Sequence, residues 1–362
     1  MSTNYKEYKF SDLIEEVEER NTSLEYGLDD IVGVTIEKRM IPTIANLTQT
    51  ALDKFYIVKP DTFVYNPRTH GVRLGMGYND TNKTFLTSWN NVAFRVKEDA
   101  KRIVLSKYLW IYFNRPEWDR QTNFMAWGSS TIVFAWNDFL SIKIKLPDLK
   151  EQEKIVNTYN AITKRIQLKQ KINENLEKTA EVIYKNSLTT KKTSISSFGK
   201  ECNITTGKLN SEDATIDGEY PFFTCSQETY KTNTFAFDQE AVLLAGNNAS
   251  AIYPLKIYKG KFNAYQRTYV ISSNNHLISN YQIYFDLKNK LEEFKGLSFG
   301  TTTKFLTMTI LNPIELHIFS EKDSYELTNQ LKNCFDEITL IQKELIKLDN
   351  LKQLVISRIS GM

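Results

Sequence analysis

Residues 128–155 read GSSTIVFAWNDFLSIKIKLPDLKEQEKI, and residues 300–327 read GTTTKFLTMTILNPIELHIFSEKDSYEL. Each stretch begins with a glycine followed by three residues that are Ser or Thr, passes through an apolar segment and ends in a charged segment with helical spacing. Gly128 and Gly300 lie 172 positions apart (300 minus 128) in this chain of 362 residues. The sequence therefore predicts an internal duplication in which a strand leads twice into a long helix.

Apolar residues recur along both helical segments at alternating spacings of three and four, which is typical of a coiled-coil seam. A long amphipathic helix cannot bury such a stripe alone, so we expect the two helices to pair in an antiparallel manner, with the domains at opposite ends. Lys169 and Asn173 interrupt the first seam, and Lys352 interrupts the second. The predicted seam contains Ile155, Tyr159, Ile162, Ile166, Leu176, Ala180 and Ile183 in the first helix, and Leu327, Leu331, Cys334, Ile338, Ile341, Leu345, Leu348 and Val355 in the second.

Strand-like patterns and short helical patterns precede each long helix. The predicted fold is therefore mixed α/β, with two tandem α/β domains, two long helices forming an antiparallel coiled coil, and a pseudo-two-fold repeat. The predicted boundaries are residues 1–148 for the first domain, 149–187 for the first helix, 188–197 for a polar linker, 198–320 for the second domain and 321–362 for the second helix. Within the domains, local patterns predict a helix over residues 10–19, a helix over 106–114 and a strand over 138–147.

Composition limits the classes of protein that the chain resembles. A net charge of +3 is nearly neutral, so charge alone does not indicate a nucleic-acid binder. Cys202, Cys225 and Cys334 lack the spacing of a metal site and predict free thiols in a reducing compartment. The first residues lack an apolar signal region and no stretch is long enough to span a bilayer, so we expect a cytoplasmic protein without membrane contact.

No catalytic set can be assembled from the residue pattern. His70, His276 and His317 are scattered and lack metal-binding spacing. Gly75-Met-Gly77 lacks the third glycine and the helix of a phosphate-binding loop. The acid–lysine sequences 286–288 and 293–295 fall in a predicted helix, which argues against a nuclease site. The chain is therefore predicted to have no catalytic residues, no metal site and no bound cofactor.

The domains carry polar loops suited to nucleic acid. Arg and Lys side chains suit phosphate and guanine, Asn suits adenine, and hydroxyl-rich loops suit phosphate. For each such residue the alternative is a polar loop whose side chains are satisfied within the protein. The candidate DNA-binding residues are Asn66, Arg68, Thr69, His70, Arg73, Asn90, Asn91, Ser129, Ser130 and Thr131 in the first domain, and Asn247, Asn248, Ser250, Lys261, Tyr265, Gln266, Arg267, Thr301, Thr302, Thr303 and Lys304 in the second.

The chain resembles the specificity subunit of a type I restriction–modification system. The resemblance is carried by EYPFFTCSQ (219–227), FDQEAVLLAGNNAS (237–250), KGKFNAYQRTYVI (259–271) and IKLPDLKEQEKIV (144–156), and by the domain–helix–domain–helix order. It implies two target-recognition domains that each read one half of a bipartite site in double-stranded DNA, held apart by the coiled coil. It also implies methyltransferase and restriction subunits as partners, which use S-adenosylmethionine, ATP and Mg²⁺. The first domain matches the family weakly over residues 55–97.

Two other functions stay open at this point. The chain could be a coiled-coil adaptor whose domains bind peptides, and a generic dimerisation hairpin would also explain the helix pair. A stand-alone enzyme is disfavoured by the missing catalytic set. Salt-dependent binding to duplex DNA separates the first alternative from a DNA-specificity function.

Overall fold

The computed structural model describes residues 5–43, 51–69, 73–127, 132–298, 300 and 303–360. The chain divides into two compact units. The first unit contains Met1–Leu168 and Leu345–Met362, and the second contains Lys169–Glu344. Each long helix therefore belongs partly to one unit and partly to the other.

The first unit contains a domain and part of each long helix. Its helices are α1 (Phe10–Leu13), α2 (Ser106–Phe113), α3 (Pro116–Met125), α4 (Trp136–Ser141) and the first part of α5 (Leu149–Thr190). Its strands are β1 (Lys6–Lys9), β2 (Ile14–Glu16), β3 (Val32–Val34), β4 (Met40–Pro42), β5 (Tyr56–Val58), β6 (Phe63–Tyr65), β7 (Arg68–Thr69), β8 (Met76–Tyr78), β9 (Phe85–Thr87), β10 (Val92–Val96), β11 (Ile132–Val133) and β12 (Lys143–Leu146).

An antiparallel sheet with the strand order β2-β10-β6-β8 forms the centre of the first unit. Two-stranded pairs surround it: β1 with β12, β3 with β4, β5 with β9, and β7 with β11. The core is aromatic, and the buried Phe10 ring lies 5.7 Å from Trp118 and 5.1 Å from Phe139 between ring centroids. Edge-to-face contacts of this kind add to the free energy gained from burial.

The second unit repeats this plan with a larger sheet. Its strand order is β14-β20-β17-β19-β15-β16, where the strands are β13 (Thr193–Ser197), β14 (Cys202–Thr206), β15 (Tyr220–Phe223), β16 (Thr229–Thr232), β17 (Phe237–Ala245), β18 (Asn247–Asn248), β19 (Leu255–Ala264), β20 (Thr268–Ser273), β21 (Lys304–Phe305) and β22 (Glu315–Phe319). Its helices are α6 (Phe198–Glu201), α7 (Asn280–Leu297), α8 (Met308–Leu311) and the first part of α9 (Glu321–Ser360).

The two units share connectivity and register. The order β2-β10-β6-β8 corresponds to β14-β20-β17-β19, and the pair β1–β12 corresponds to β13–β22. Phe10 N donates to Ile142 O at 3.0 Å, and Phe198 N donates to Ile314 O at 2.8 Å. Because Ile142 and Ile314 are 172 positions apart (314 minus 142), the offset read from the sequence is also the structural offset. The predicted mixed α/β fold with an internal repeat is confirmed.

In the second unit the long helices run antiparallel. Lys169 Nζ lies 2.7 Å from Glu344 Oε2, and Lys191 Nζ lies 2.7 Å from Asp323 Oδ1, so the residue number rises along α5 as it falls along α9. In the first unit the Lys352 ammonium lies 5.4 Å from the centre of the Tyr159 ring. Every predicted seam residue is buried or half-buried. No helix of the described residues is long and apolar enough to cross a membrane.

Two local predictions are wrong, and the strand predicted over 138–147 is confirmed only for residues 143–146. Residues 10–19 form only the short α1 before the chain enters β2, because buried Ile14 pairs with Val96 in the central sheet. Residues 138–147 contain the end of α4 before β12 begins. The segment 188–197 is not a linker: α5 continues to Thr190, and Thr193–Ser197 pairs along its whole length with β22. Pairing with β22 satisfies the backbone hydrogen bonds of Thr193–Ser197, a pairing that the polar composition of this segment does not predict.

A buried carboxyl fixes α5 to the second unit. Asp286 of α7 is 7 % exposed and accepts a hydrogen bond from the hydroxyl of Tyr184 in α5. The His317 Nδ1 atom lies 3.9 Å from Asp286 Oδ1, within ion-pair range but beyond a hydrogen bond. Burial raises the pKa of Asp286, and the Asp286 carboxylate raises the pKa of His317.

These shifts make the second unit less stable at high pH. A folded-state pKa above the unfolded value means that stability is lost as pH rises, from the unfolded value of 3.8 upward for Asp286 and from 6.5 upward for His317. Asp286→Asn keeps a side chain that can hydrogen-bond Tyr184 but removes the carboxyl group that titrates. We therefore expect the urea concentration at the unfolding midpoint of the second unit to fall less between pH 6 and pH 9 in this variant than in the original chain. His276→Gln, which changes an exposed histidine of the same unit, serves as the control. An unchanged pH slope in Asp286→Asn would contradict the assignment.

Candidate nucleic-acid interface

A short ribbon follows directly from β6 in the first unit. In it β7 pairs with β11, with Arg68 opposite Val133 and Thr69 opposite Ile132. Trp127 adds a third backbone segment, since its N–H donates to Val133 O at 3.2 Å and its carbonyl accepts from Val133 N at 3.1 Å. We call β7, β11 and Trp127 the first ribbon.

The structure brings several predicted residues of the first unit to this end of the sheet. Asn66 N donates to Gly75 O at 2.9 Å, which places Asn66 beside the segment that carries Arg73. Val92 pairs with Tyr65, so Asn91 lies next to the start of the first ribbon as well. Arg68 and Arg73 are exposed, and Arg68 has no acidic partner within the described ranges. An exposed guanidinium without a carboxylate is available to a phosphate or a guanine.

Lys38 holds this loop region against α3. Its ammonium donates to Leu74 O at 2.9 Å and forms an ion pair with Asp119 at 2.5 Å, with both side chains almost buried. Burial lowers the pKa of Lys38, while the neighbouring Asp119 carboxylate favours the charged form. The contact therefore links the Arg73 segment to the helix that precedes Trp127.

The second unit has the corresponding ribbon, formed by β18 and β21, which we call the second ribbon. Asn247 pairs with Phe305 and Asn248 with Lys304, and Leu306 N donates to Gly246 O at 2.9 Å, as Phe134 N donates to Pro67 O at 2.8 Å. The Arg267 guanidinium lies 5.2 Å from the centre of the Phe305 ring. A cation above an aromatic face presents a flat, positively charged surface.

Two glycines permit the close approaches that build the second ribbon. Gly300 has φ +110, and a Cβ there would lie 2.0 Å from Thr303 O, so only glycine fits. A Cβ on Gly246 would lie 2.5 Å from Arg267 O, where Gly246 N donates to that oxygen at 2.7 Å. Gly300 is the glycine that opens the repeated sequence block, and its positive φ explains why a glycine stands there.

Other predicted residues have different surroundings. Thr69 is 5 % exposed and its hydroxyl donates to Asn123 Oδ1 at 3.1 Å, so this side chain has a partner within the protein. Gln266 bonds Asn210, Asn91 bonds Thr87 and Asn248 accepts from Ser250 N, so each has a structural partner. Lys261 pairs opposite Asp238 at the start of β17, away from the end that leads into the second ribbon.

The remaining candidates are exposed or half-buried, or lie outside the described residues. Asn90 and Ser250 are exposed, Tyr265 and Thr303 are half-buried, and Tyr265 N donates to Phe223 O at 2.9 Å. Six candidates lie outside the described residues: His70, Ser129, Ser130, Thr131, Thr301 and Thr302. Among the described ranges, no group of three His, Cys, Asp or Glu side chains is placed to hold a metal ion.

The exposed aromatic residues in the ribbons and at the end of α3 were not selected from the sequence. Phe124 and Trp127 are 92 % and 77 % exposed, and Phe305 contacts Arg267. One signal was available, because an aromatic residue stands directly before the repeated glycine in both copies, as Trp127 before Gly128 and Phe299 before Gly300. The pairing of Arg68 with Val133 joins segments far apart in the chain and has no local signature.

Comparisons with known proteins agree with the duplicated architecture. The model of the type I restriction modification DNA specificity domain matches residues 19–178 and 193–350. The chain is 34 % identical over 141 residues to the type I restriction enzyme EcoDI specificity subunit of Escherichia coli, an alignment that spans 39 % of this chain and 31 % of that protein. It also shares its fold with the crystal structure of the type I restriction–modification system S subunit from M. genitalium, with a TM-score of 0.63, 14 % identity, and coverage of 99 % of this chain and 96 % of that one.

Proposed function

The chain belongs to the type I restriction–modification DNA specificity family, and from that premise we propose that it selects a bipartite sequence in double-stranded DNA. In this proposal each unit reads one half-site through the end of its sheet that carries the ribbon. The bound DNA then positions catalytic partner subunits, and the chain itself contributes no catalytic residue.

One observation carries the proposal: the ribbon occurs twice, in corresponding positions, with different side chains. Arg68 opposite Val133 in the first ribbon corresponds to Asn247 opposite Phe305 in the second. Arginine favours guanine and asparagine favours adenine in direct readout. Two ribbons with the same backbone pairing but different side chains suit a DNA site whose two halves differ in sequence.

The partners in this proposal are methyltransferase and restriction subunits. S-adenosylmethionine, ATP and Mg²⁺ would be bound by those subunits, which would supply methyl transfer to adenine and cleavage. Exposed apolar residues of α9 support protein contacts, since Leu351 and Leu354 are 49 % and 59 % exposed and lie three positions apart on one helix face. Such side chains are unusual on a helix that faces only water.

Mapping methylated adenines tests the proposal directly. In cells that carry this chain with its methyltransferase subunit, we expect methylation at one bipartite motif with a fixed spacer. Cells that carry the methyltransferase subunit alone should show none of it. Methylation that is scattered, or that follows an undivided motif, would overturn the proposal.

Binding measurements with purified complex give a second test. We expect the affinity for a duplex with the mapped site to fall steeply with salt, because Lys and Arg contacts release counterions from DNA. Arg68→Ala and Arg73→Ala should each weaken binding. For an arginine that contacts a phosphate, the slope of log affinity against log salt concentration should fall by about one. Binding that does not depend on salt, or that a peptide ligand replaces, would favour the adaptor function.

A further inference from the structure

The surface beside the first ribbon carries aromatic residues in an unusual setting. The exposed fractions are 92 % for Phe124, 77 % for Trp127 and 40 % for Ile132, whereas Trp118 and Phe134 nearby in the chain are fully buried. Large aromatic side chains usually lie inside a protein, so two highly exposed ones only three positions apart in the chain indicate an interaction site.

The register of the first ribbon places a cation and an aromatic ring on the same face. Residues directly opposite each other in antiparallel pairing project to the same side. Arg68 is opposite Val133, and Val133 is opposite Trp127. Arg68, Val133 and Trp127 therefore form one row across the ribbon, with an exposed guanidinium at one end and an exposed indole at the other.

The second ribbon repeats the combination with other residues. Phe305 is opposite Asn247, and the Arg267 guanidinium stacks 5.2 Å from the Phe305 ring centre. Phe305 corresponds to Val133 and Asn247 corresponds to Arg68, so the second ribbon has an arginine beside an aromatic ring at positions that differ from those in the first.

We propose that Trp127 is a stacking wedge that enters a base step of the half-site read by the first unit, with Arg68 bound to the adjoining guanine or phosphate. This inference rests on the proposed DNA-specificity function and adds a mode of recognition to it. The occupant of the aromatic surface is duplex DNA, because the row joins an apolar ring to an unpaired cation. A purely apolar protein contact would leave the Arg68 charge without a partner.

The chemistry of the proposed complex gives such a wedge a purpose. A base that is methylated by an enzyme must leave the helical stack, and extrusion costs unstacking energy. Apolar side chains inserted at a base step unstack and kink the duplex. A wedge on the specificity chain would therefore loosen the half-site before the catalytic partner takes the adenine.

The test compares Trp127 variants in the complex with the methyltransferase subunit, on a duplex that contains the mapped site. Trp127→Ala is expected to weaken site-specific binding by about ten- to one-hundred-fold, the range for loss of one base-stacking aromatic residue. Trp127→Phe should restore most of the affinity, and Trp127→Leu should restore less. Leu24→Ala, which truncates a 60 % exposed apolar residue outside the ribbon, is the matched control and should have no effect.

A fluorescent adenine analogue, 2-aminopurine, distinguishes a wedge from a general contact. Placed in turn along each half-site, it should brighten on binding at one step of one half-site, and this signal should vanish in Trp127→Ala while the other half-site is unchanged. If the original chain binds the mapped site but Trp127→Ala keeps both affinity and signal, the wedge is refuted and the proposed function stands. If the original chain shows no site preference, the proposed function fails. If Trp127→Ala no longer assembles with the methyltransferase subunit but binds DNA as the original chain does, the surface belongs to a protein partner and the wedge is also refuted.

Discussion

Replacing Arg115 by alanine is expected to lower the free energy of unfolding of the first unit by about 2–4 kcal/mol. Arg115 is 6 % exposed, and its guanidinium lies 3.5 Å from the centre of the Tyr112 ring. Its Nε donates to Tyr112 O at 3.0 Å, and its Nη1 donates to Ile359 O at 3.3 Å. Ile359 lies in the last turn of α9, so the cation meets the negative end of the helix dipole.

The loss should be large because several groups depend on one side chain. Alanine would leave the carbonyl of Ile359 without its donor and would open a cavity beside Tyr112. Arg115→Lys keeps a charge near the end of α9 but cannot keep the planar fork, so we expect it to recover only part of the stability. Arg120→Ala in α3, the helix that begins directly after Arg115, is the control, since Arg120 is exposed and forms an ion pair with Glu117 one turn away. It should change stability by less than about 0.5 kcal/mol.

The chain carries separate natural reporters for its two units. All five tryptophans, at positions 89, 110, 118, 127 and 136, belong to the first unit, and all three cysteines belong to the second. Burial raises the pKa of the Cys202 thiol to about 12, so it should react with a thiol reagent only after the second unit opens. In Arg115→Ala the unfolding transition followed by tryptophan fluorescence should therefore move to a lower urea concentration. The urea concentration at which Cys202 becomes reactive should stay unchanged. A shift in Cys202 exposure alone would contradict the placement of Arg115.

Sequence periodicity predicts the long elements of this fold well. The apolar seam of α5 and α9 repeats over many helical turns. The apolar runs of β17 and β20 are long enough to be recognised as strands from the sequence alone. Pairing at a distance is harder to predict. The strand β13 is polar, and its one large apolar residue, Ile195, is 61 % exposed, so its composition resembles a linker until β22 is placed beside it.

The candidate site shows the same limit. Arg68, Arg73 and Asn247 could be selected by residue type, because their chemistry suits DNA. Burial could not be predicted for Thr69, whose hydroxyl bonds Asn123 across 54 positions of sequence. The exposure of Trp127 could not be predicted either, since tryptophan is highly buried on average. Residue chemistry is local information, whereas exposure depends on contacts that only the folded chain defines.

Inserting four residues after Lys171 in α5 is expected to move methylation from the original site to one whose spacer is longer by one or two base pairs. Four residues lengthen a helix by about 6 Å at 1.5 Å per residue, and one base pair of DNA rises about 3.4 Å. The half-site sequences should stay the same, because no residue of either ribbon changes. Methylation mapping in cells that carry the variant with the methyltransferase subunit gives the result.

The matched control is an insertion of two residues at the same position. Four residues add little more than one helical turn, which a coiled coil absorbs by local unwinding. Two residues rotate the rest of α5 by about 200°, because each residue turns an α-helix by about 100°. Such a rotation would turn Leu176 and Ala180 away from α9 and would break the register marked by the Lys191–Asp323 ion pair, so methylation should be lost altogether. If the four-residue variant instead methylates the original site with its original spacer, the paired helices do not set the distance between the half-sites.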